Sequence, residues 1–331
     1  MRTSPSWGRF AFRRTSFRIL LYMYQLIIIG GGPGGVAAGV YAARKKINTL
    51  LITEEFGGQS VVSDNIENWI GDRSLSGFDL AKRLEEHLKA YDKDIKIVED
   101  DRVKAVEKMG EHYKVFTSGE QTYETERVLV VSGSRRRRLN VPGAEKYEGK
   151  GIVYCSTCDA PIFKDKTVAV VGGGNAGLEA AIDLLPYASK IYLFERSAQL
   201  RGDEVSRKQL KDSGKVEIIF NNEILGVIGE QFVTGLKYKD TSSNEERELK
   251  LDGVFVEIGS IPNSDIVKGL VNLNERGEIT IDHKTQRTSD AGIWAAGDVS
   301  DSLYNQNNTS AGDAIKAVLN IYDDILHSSS D

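Results

Sequence analysis

The only two cysteines of this 331-residue chain, Cys155 and Cys158, stand three positions apart. At this spacing one disulfide can open and close without rearrangement of the chain, and a helix start shifts a thiolate towards reactivity. A purely structural disulfide is disfavoured, because so short a loop gains little closure entropy and strains easily. The pair therefore predicts a redox-active dithiol.

Zinc binding is the rival use of this cysteine spacing. A structural zinc site needs four nitrogen or sulfur ligands, and the sequence has no second cysteine pair. The four histidines also show no pairing at ligand spacing; they are His87, His112, His283 and His327. We therefore expect no metal at the cysteine pair.

Length and composition indicate a soluble globular protein with room for two domains, since 40% of the residues are hydrophobic and 27% are charged. The net charge of −5 gives no reason to propose a nucleic acid as partner. The low cysteine content fits a reducing compartment, so we expect a cytoplasmic location. No apolar stretch approaches the roughly 20 residues that span a bilayer, so no membrane partner is expected.

Residues 1–22 differ from the rest of the chain, because they contain five arginines and several serines but no acidic residue. Such a start is typical of a transit peptide, which would indicate organellar targeting. Alternatively, Met23 is the natural start and the preceding segment is a mis-called extension, because a normal opening strand follows directly. We favour the second interpretation and leave this segment out of the fold.

A first nucleotide-binding pattern follows Met23. An apolar run over residues 25–30 leads into a glycine-rich turn, a helical run over 36–46 and a second apolar run over 49–53. This order of strand, glycine turn, helix and strand, closed by an acid, is the context that the dinucleotide fingerprint requires. The turn reads Gly30-Gly31-Gly32-Pro33-Gly34-Gly35.

Individual residues of this pattern have distinct expected roles. Gly30 permits the tight turn, Gly32 lets the backbone approach a pyrophosphate, and Gly35 lets the helix pack closely on the strand. The helix N-terminus then faces the phosphates. Glu54 or Glu55 ends the second strand at the position that bonds an adenosine ribose.

The same pattern recurs about 140 residues later. A strand over 167–171 precedes the turn, a helix covers 178–185, and a strand over 191–194 ends at Glu195. The turn contributes Gly172, Gly174, Asn175 and Gly177. Two complete fingerprints predict two bound dinucleotides or two duplicated modules, with the dithiol just before the second fingerprint.

A third informative stretch is a predicted strand ending in Gly297-Asp298, where a carboxylate at a sheet edge can meet a ribityl hydroxyl. A last helix is predicted over 314–325, opened by residues 309–314. Its amide N-terminus could stabilise negative charge on a reduced flavin ring.

Together these segments resemble the low-molecular-weight thioredoxin reductase family of flavoproteins, from Met23 to about Ile325. The motifs that carry the resemblance are the two glycine turns, Gly57-Gly58-Gln59, Glu67-Asn68-Trp69-Ile70-Gly71, the cysteine pair followed by Asp159, and Ala296-Gly297-Asp298. The resemblance implies an α/β fold of two Rossmann-like three-layer nucleotide-binding domains, the second inserted in the first. The FAD domain would be 23–137 plus 265–331, and the nicotinamide domain 138–264 would carry the dithiol.

The resemblance also assigns residues to the two nucleotides. For FAD it implies contacts at Gly30, Gly32, Pro33, Gly35, Gln59, Asn68, Asp298 and Gln306, with Glu54 at the ribose. For the nicotinamide nucleotide the corresponding residues are Gly172, Gly174, Asn175, Gly177, Glu195, Arg196 and Arg201.

In this family electrons pass from the nicotinamide to the flavin, then to the Cys155–Cys158 disulfide, and finally to a partner disulfide. The implied partner is thioredoxin or a glutaredoxin-like protein, and the family is usually a homodimer. The resemblance makes Asp159 the acid that supplies a proton as flavin and thiolate part.

The choice of nicotinamide nucleotide rests on Glu195. An acid at this strand end suits the free 2′-hydroxyl of NADH and repels the 2′-phosphate of NADPH. Ser197 also replaces one of the basic residues with which NADPH-using members hold that phosphate. We therefore predict NADH, with NADPH as the alternative. In the other interpretation Glu195 is a surface acid paired with Arg196 or Arg201.

The inserted domain looks more like the NADH-using flavoprotein subunit of alkyl hydroperoxide reductase. That enzyme has thioredoxin-like N-terminal domains, which this chain does not show, so we expect electrons to pass straight to a separate protein. The alternatives are a peroxiredoxin-system NADH reductase and a redox flavoprotein unable to use nicotinamide nucleotides. A ferredoxin/flavodoxin–NADP reductase is disfavoured, because it lacks the dithiol.

The run Arg135-Arg136-Arg137-Arg138 has two interpretations. It could be a docking patch for an acidic partner protein. We favour a solvated basic linker, since charge runs are usually exposed.

Overall fold

The computed structural model of the protein describes residues 23–63 and 66–328, without the side chains of Val62, Thr157 and Cys158. Both interpretations of residues 1–22 therefore concern a segment outside the described residues.

The described residues form eighteen strands. In chain order they are β1 (Leu26–Gly31), β2 (Thr49–Phe56), β3 (Ile95–Val98), β4 (Val103–Met109), β5 (His112–Thr117), β6 (Thr122–Thr125), β7 (Val128–Val130), β8 (Ser134–Arg136), β9 (Ile152–Val153), β10 (Thr167–Val171), β11 (Lys190–Phe194), β12 (Val216–Ile219), β13 (Asn222–Gly229), β14 (Val233–Asp240), β15 (Glu246–Lys250), β16 (Gly253–Val256), β17 (Ser260–Pro262) and β18 (Ile293–Ala295).

The same part of the chain contains six α-helices, α1 (Pro33–Arg44), α2 (Gly77–Lys89), α3 (Ser156–Asp159), α4 (Asn175–Leu184), α5 (Glu204–Asp212) and α6 (Asn307–Ser328). Short 3₁₀ turns cover Gly58–Val62, Glu145–Tyr147, Ala160–Phe163, Asp265–Val267 and Gly297–Val299. Among these helices none combines the length and apolarity that crossing a membrane requires.

The first unit is built on a parallel sheet in the order β18-β7-β1-β2-β3. Side chains of β1 alternate between its two faces: Leu26 and Ile28 pack with α1, α2 and α6, whereas Ile27 and Ile29 pack with β4 and β5. A strand buried on both faces has to be apolar throughout, which explains the continuous run in the sequence.

The second unit repeats this plan with a parallel sheet in the order β12-β11-β10-β16-β9. One face packs on α4 and α5, and the other packs on the antiparallel sheet β13-β14-β15. All of its sheet strands lie between Ile152 and Val256, whereas the first sheet takes strands from both sides of this segment.

The predicted fold class, two three-layer α/β units with the second inserted in the first, is therefore confirmed. The two connections between the units run side by side, because β8 and β17 pair antiparallel, with Arg136 opposite Ser260. The domain boundaries at 137/138 and 264/265 stay predictions.

The last helix begins earlier than predicted, at Asn307 instead of Ala314. The Thr309 hydroxyl accepts a hydrogen bond from the Gln306 backbone N–H at 3.1 Å, and the Gln306 carbonyl accepts from the Ser310 N–H at 2.9 Å. This cap satisfies groups at the helix start that would otherwise be unpaired, so the polar residues before Ala314 are helical.

Candidate active site

The first glycine turn is a backbone contact that side chains would prevent. Gly30 has a φ of +121°, and a Cβ on it would lie 2.4 Å from the Val131 carbonyl oxygen. A Cβ on Gly35 would lie 1.9 Å from the carbonyl oxygen of Gly30, so α1 packs directly on the turn. Gly32 differs, because a Cβ there would meet no atom within 4 Å. Gly32 thus leaves room at the N-terminus of α1, where Pro33 occupies the first helical turn.

A cavity of about 720 Å³ opens at this turn. Most of the predicted FAD residues line it, namely Gly30, Gly32, Pro33, Glu54, Gln59, Asp298 and Gln306. Gly35 and Asn68 are not in its wall. Gly35 instead provides the helix contact, and the Asn68 side-chain amide donates to Gln306 Oε1 at 3.0 Å. Asn68 therefore reaches the cavity through Gln306.

The Asp298 carboxyl fits a ligand with hydroxyl groups. It lies in the cavity wall, and burial raises its pKa. Within residues 23–63 and 66–328 no group donates a hydrogen bond to its side chain. A buried carboxylate without a protein donor is costly, and ligand hydroxyls would satisfy its oxygens.

The second glycine turn has the same construction. Gly172 has a φ of +124°, and a Cβ on it would lie 2.1 Å from the Glu257 carbonyl oxygen. A Cβ on Gly177 would lie 1.8 Å from the carbonyl oxygen of Gly172, whereas one on Gly174 would meet no atom within 4 Å. The two turns are therefore equivalent anion-binding helix starts.

A second cavity, of about 1190 Å³, lies at this turn. The predicted nicotinamide-nucleotide residues in its wall are Gly172, Gly174, Asn175, Glu195, Arg196 and Arg201. Gly177 is again behind the wall, at the contact between helix and turn. The Asn175 side-chain oxygen accepts from the Asp203 backbone N–H at 2.8 Å, which ties the turn to the start of α5.

Glu195 is a buried acid, with only 1% of its surface exposed, so its interpretation as a surface acid is wrong. It accepts hydrogen bonds from the backbone N–H of Gly173 at 3.0 Å and from the N–H and hydroxyl of Ser197 at 2.8 and 2.7 Å. Burial raises the pKa of Glu195, but the Ser197 bonds, the Arg201 charge and the Gly173 bond together hold it below its usual range. The acid is therefore ionised at the cavity wall.

Cys155 lies just before α3 and is disulfide-bonded. The sequence contains one other cysteine, Cys158, whose side chain is not described. Cys155 and Asp159 line a third cavity of about 840 Å³. This cavity shares Gln59 and Arg136 with the first one, so the dithiol borders the cavity predicted for FAD.

Asn305 is distinguished in the sequence only by its place beside Gln306, where it departs from the family pattern before the last helix. In the structure it lines both the first and the second cavity. Its neighbour Gln306 is the only signal in the sequence for such a role.

The arginine run is not a solvated linker, because its first residues form β8. Arg135 lies 3.5 Å from Asp265, Arg136 lies 3.3 Å from Glu257, and Arg138 lies 3.3 Å from Glu148. Three of the four side chains are thus paired within this chain, and Arg137 lines the second cavity. The docking patch stays a prediction.

Glu257 is a buried acid that the sequence analysis did not identify. It follows β16 directly and lines the second cavity. Burial raises its pKa to about 7, against the opposing effect of Arg136. Elsewhere in the described part of the chain, no group of three or more histidine, cysteine or acidic residues is arranged to hold a metal ion.

Comparisons with known proteins cover almost the whole chain. The family model described as pyridine nucleotide-disulphide oxidoreductase matches residues 24–317. The alkyl hydroperoxide reductase flavoprotein (its F component) of Pseudomonas putida is 43% identical over 310 residues, which are 93% of this chain and 59% of that protein. The Bacillus subtilis (strain 168) protein named NADH dehydrogenase is 39% identical, over 92% of this chain and 59% of its own length. The chain therefore spans about three fifths of the length of these relatives.

Among solved structures, the thioredoxin reductase of Lactococcus lactis (FR conformation) superposes with a TM-score of 0.80 at 28% identity, covering 92% of this chain and 99% of that one. The thioredoxin reductase of T. acidophilum has a TM-score of 0.77 at 34% identity, with the same coverage. The predicted resemblance is confirmed. Because the family match includes both glycine turns and the cysteine pair between them, the chain belongs to the pyridine nucleotide-disulphide oxidoreductase family.

Proposed function

We propose that the chain is an FAD-dependent disulfide reductase that takes electrons from NADH and passes them through Cys155 and Cys158 to a thioredoxin- or glutaredoxin-like protein. One observation carries the proposal. Cys155 lines a cavity that shares Gln59 and Arg136 with the first nucleotide cavity. A dithiol can exchange electrons with a bound nucleotide only where the two are neighbours.

FAD is the proposed occupant of the first cavity. The open space at Gly32 suits a pyrophosphate, Glu54 suits the adenosine ribose, and the unsatisfied Asp298 carboxylate suits ribityl hydroxyls. Gln59 and Gln306 lie in the same wall and can donate to flavin oxygens or nitrogens. Bound FAD would supply the two-electron carrier between nicotinamide and disulfide.

NADH is the proposed occupant of the second cavity. The ionised Glu195 can accept hydrogen bonds from the two free ribose hydroxyls of NADH, whereas it would repel a 2′-phosphate. Arg201 lies 3.9 Å from Glu195, so its charge is already partly balanced and is less available to a phosphate.

The reduced dithiol would act on its partner by thiol–disulfide exchange. One thiolate attacks a sulfur of the partner disulfide, whose S–S bond breaks; a mixed disulfide forms, and the released partner sulfur takes a proton. The second thiol then displaces the partner as a dithiol and restores the Cys155–Cys158 disulfide. Asp159 lines the cavity of Cys155 and is the proposed proton donor when that disulfide is opened.

A second candidate function is NADH oxidation within a peroxiredoxin system. The identity of 43% and 40% to two alkyl hydroperoxide reductase flavoproteins, over more than nine tenths of this chain, favours it. In this case the disulfide that receives the electrons belongs to a thioredoxin-like carrier of a peroxiredoxin. The redox step at the dithiol is the same, so only the acceptor distinguishes the two functions.

A test of the proposal needs both ends of the electron path. Anaerobic addition of NADH should bleach the flavin absorbance, and each candidate acceptor is then added in turn: thioredoxins, glutaredoxin-like proteins and peroxiredoxin carriers. No bleaching by NADH or NADPH would favour a flavoprotein that does not use nicotinamide nucleotides. The homodimer and the cytoplasmic location stay predictions.

A further inference from the structure

The turn that carries the dithiol is too short to be stable by itself. The helix α3 is a single turn, and isolated helices of this length do not persist in water. The Asp159 backbone N–H donates to the Cys155 carbonyl at 3.1 Å and closes the turn. On its C-terminal side, Ala160 and Phe163 are buried in the core of the second unit. Side-chain contacts must therefore hold the first half of the turn.

Ser156, which follows Cys155, makes such a contact. Its hydroxyl donates a hydrogen bond to Asp183 Oδ2 at 2.8 Å, and only 9% of its surface is exposed. Asp183 lies in the last turn of α4, the helix that begins at the second glycine turn. The bond thus ties the dithiol turn to the helix whose other end borders the nucleotide cavity. A hydrogen bond to a carboxylate is among the stronger kinds in proteins.

We infer that Ser156 and Asp183 are positioning residues of the disulfide reaction, because their hydrogen bond holds the dithiol turn in place while the disulfide is open. The inference rests on the proposed function, in which the pair opens and closes. In the oxidised protein the S–S bond itself constrains the turn. Reduction breaks that bond and adds two electrons and two protons, after which the Ser156–Asp183 bond still fixes the turn on α4.

This tether has a consequence for the redox equilibrium. Two thiols held in one turn have a high effective concentration towards each other, and this favours closure of the disulfide. Without the tether the reduced turn can unwind, so the effective concentration falls and the dithiol form gains entropy. The reduction potential of the pair then becomes less negative.

The experiment is a redox titration of the full chain in dithiothreitol buffers of graded potential, with the thiols trapped by alkylation and counted by mass. For Ser156→Ala we expect the equilibrium constant for disulfide formation to fall about tenfold, which corresponds to about 30 mV. Asp183→Ala should give the same shift, and the double variant should add little to it, as expected for two partners of one bond. A potential unchanged in Ser156→Ala would overturn the inference.

Two further variants separate the hydrogen bond from other effects. Asp183→Asn keeps an acceptor oxygen without the charge, so it should retain the wild-type potential; a shift as large as that of Asp183→Ala would contradict the tether. Ser243→Ala, at an exposed serine after β14, is the matched control and should leave the potential unchanged. The titration uses no nicotinamide nucleotide. A protein that NADH does not reduce would therefore refute the proposed function while the potential shift still tests the tether.

Discussion

The carboxylate of Glu195 accepts a hydrogen bond from the backbone N–H of Gly173 at 3.0 Å, which joins the end of β11 to the second glycine turn. Ser197 donates two further bonds to the other carboxylate oxygen. The negative charge is therefore fixed at the cavity wall before a nucleotide binds, and the proposed preference for NADH follows from this arrangement.

Substitution Glu195→Gln should weaken the discrimination between the two nucleotides. Glutamine keeps the shape but removes the charge that would repel a 2′-phosphate. We expect the ratio of kcat/KM for NADH to that for NADPH to fall about tenfold, which corresponds to about 1.4 kcal/mol. Steady-state kinetics with both nucleotides measures this ratio.

The control for this variant is Glu230→Gln, at an exposed acid near the end of β13. It changes the net charge equally but should leave the ratio unchanged. An unaltered ratio in Glu195→Gln would mean that the buried carboxylate does not select the nucleotide.

The two cysteines should be needed for the second half of the electron path only. In Cys155→Ser and Cys158→Ser we expect reduction of the partner disulfide to fall by about a thousandfold or more, since a covalent nucleophile is removed. Bleaching of the flavin by NADH should persist in both variants.

The same cysteine variants also trap the partner. The variant that retains the attacking thiolate lacks the thiol that resolves the mixed disulfide, so it should form a stable adduct visible on a non-reducing gel. Partner reduction at the wild-type rate in either variant would remove the dithiol from the path.

The two open glycines provide a matched pair of substitutions. Gly32 and Gly174 have φ values of −70° and −87°, which any residue adopts, and a Cβ on either meets no protein atom within 4 Å. Alanine should therefore fold normally at both positions but occupy space meant for a pyrophosphate. We expect Gly32→Ala to weaken FAD binding and Gly174→Ala to raise the KM for NADH, each about tenfold, or about 1.4 kcal/mol.

The specificity of each effect is its own control. Flavin content after desalting should be normal in Gly174→Ala and reduced in Gly32→Ala. Loss of flavin from both variants would show that the two cavities are not separate nucleotide sites.

Much of this arrangement could be predicted because it depends on local spacing. Gly30 and Gly35 are five residues apart, and the helix-on-strand contact they allow follows from that spacing alone. The cysteine pair is likewise a local signal. The start of α6 could not be predicted in this way, because the hydroxyl of Thr309 caps the helix ahead of the apolar residues on which the prediction relies.

Contacts between distant segments also lie beyond such local signals. Arg136 and Glu257 are 121 positions apart, and they meet because β8 pairs with β17. Ser156 reaches Asp183 only after α3 is placed beside α4. In the sequence the arginine is part of a charge run and the serine is a spacer between cysteines.

The buried Glu257 predicts a pH dependence of stability. Its pKa rises from 4.5 to about 7 on folding, mainly through burial. The folded state then binds the proton more tightly, so this contribution to stability is complete below about pH 4.5 and is lost between pH 4.5 and 7. In Glu257→Gln the loss is absent, and the variant should gain up to about 3 kcal/mol relative to wild type between pH 5 and 8.

Urea unfolding at several pH values measures this difference. The exposed Glu246→Gln on β15 is the control and should run parallel to the wild type. A Glu257→Gln curve that also runs parallel to the wild type would show that the carboxyl titrates normally in the folded protein.

The most direct test of the proposed electron path is anaerobic reduction of the purified flavoprotein by NADH and by NADPH in parallel, followed by alkylation of the thiols. We predict that NADH bleaches the flavin faster than NADPH and that Cys155 and Cys158 become alkylated in step with the bleaching. Equal or faster reduction by NADPH would contradict the nucleotide assignment. Bleaching without the appearance of the two thiols would contradict the path through the disulfide.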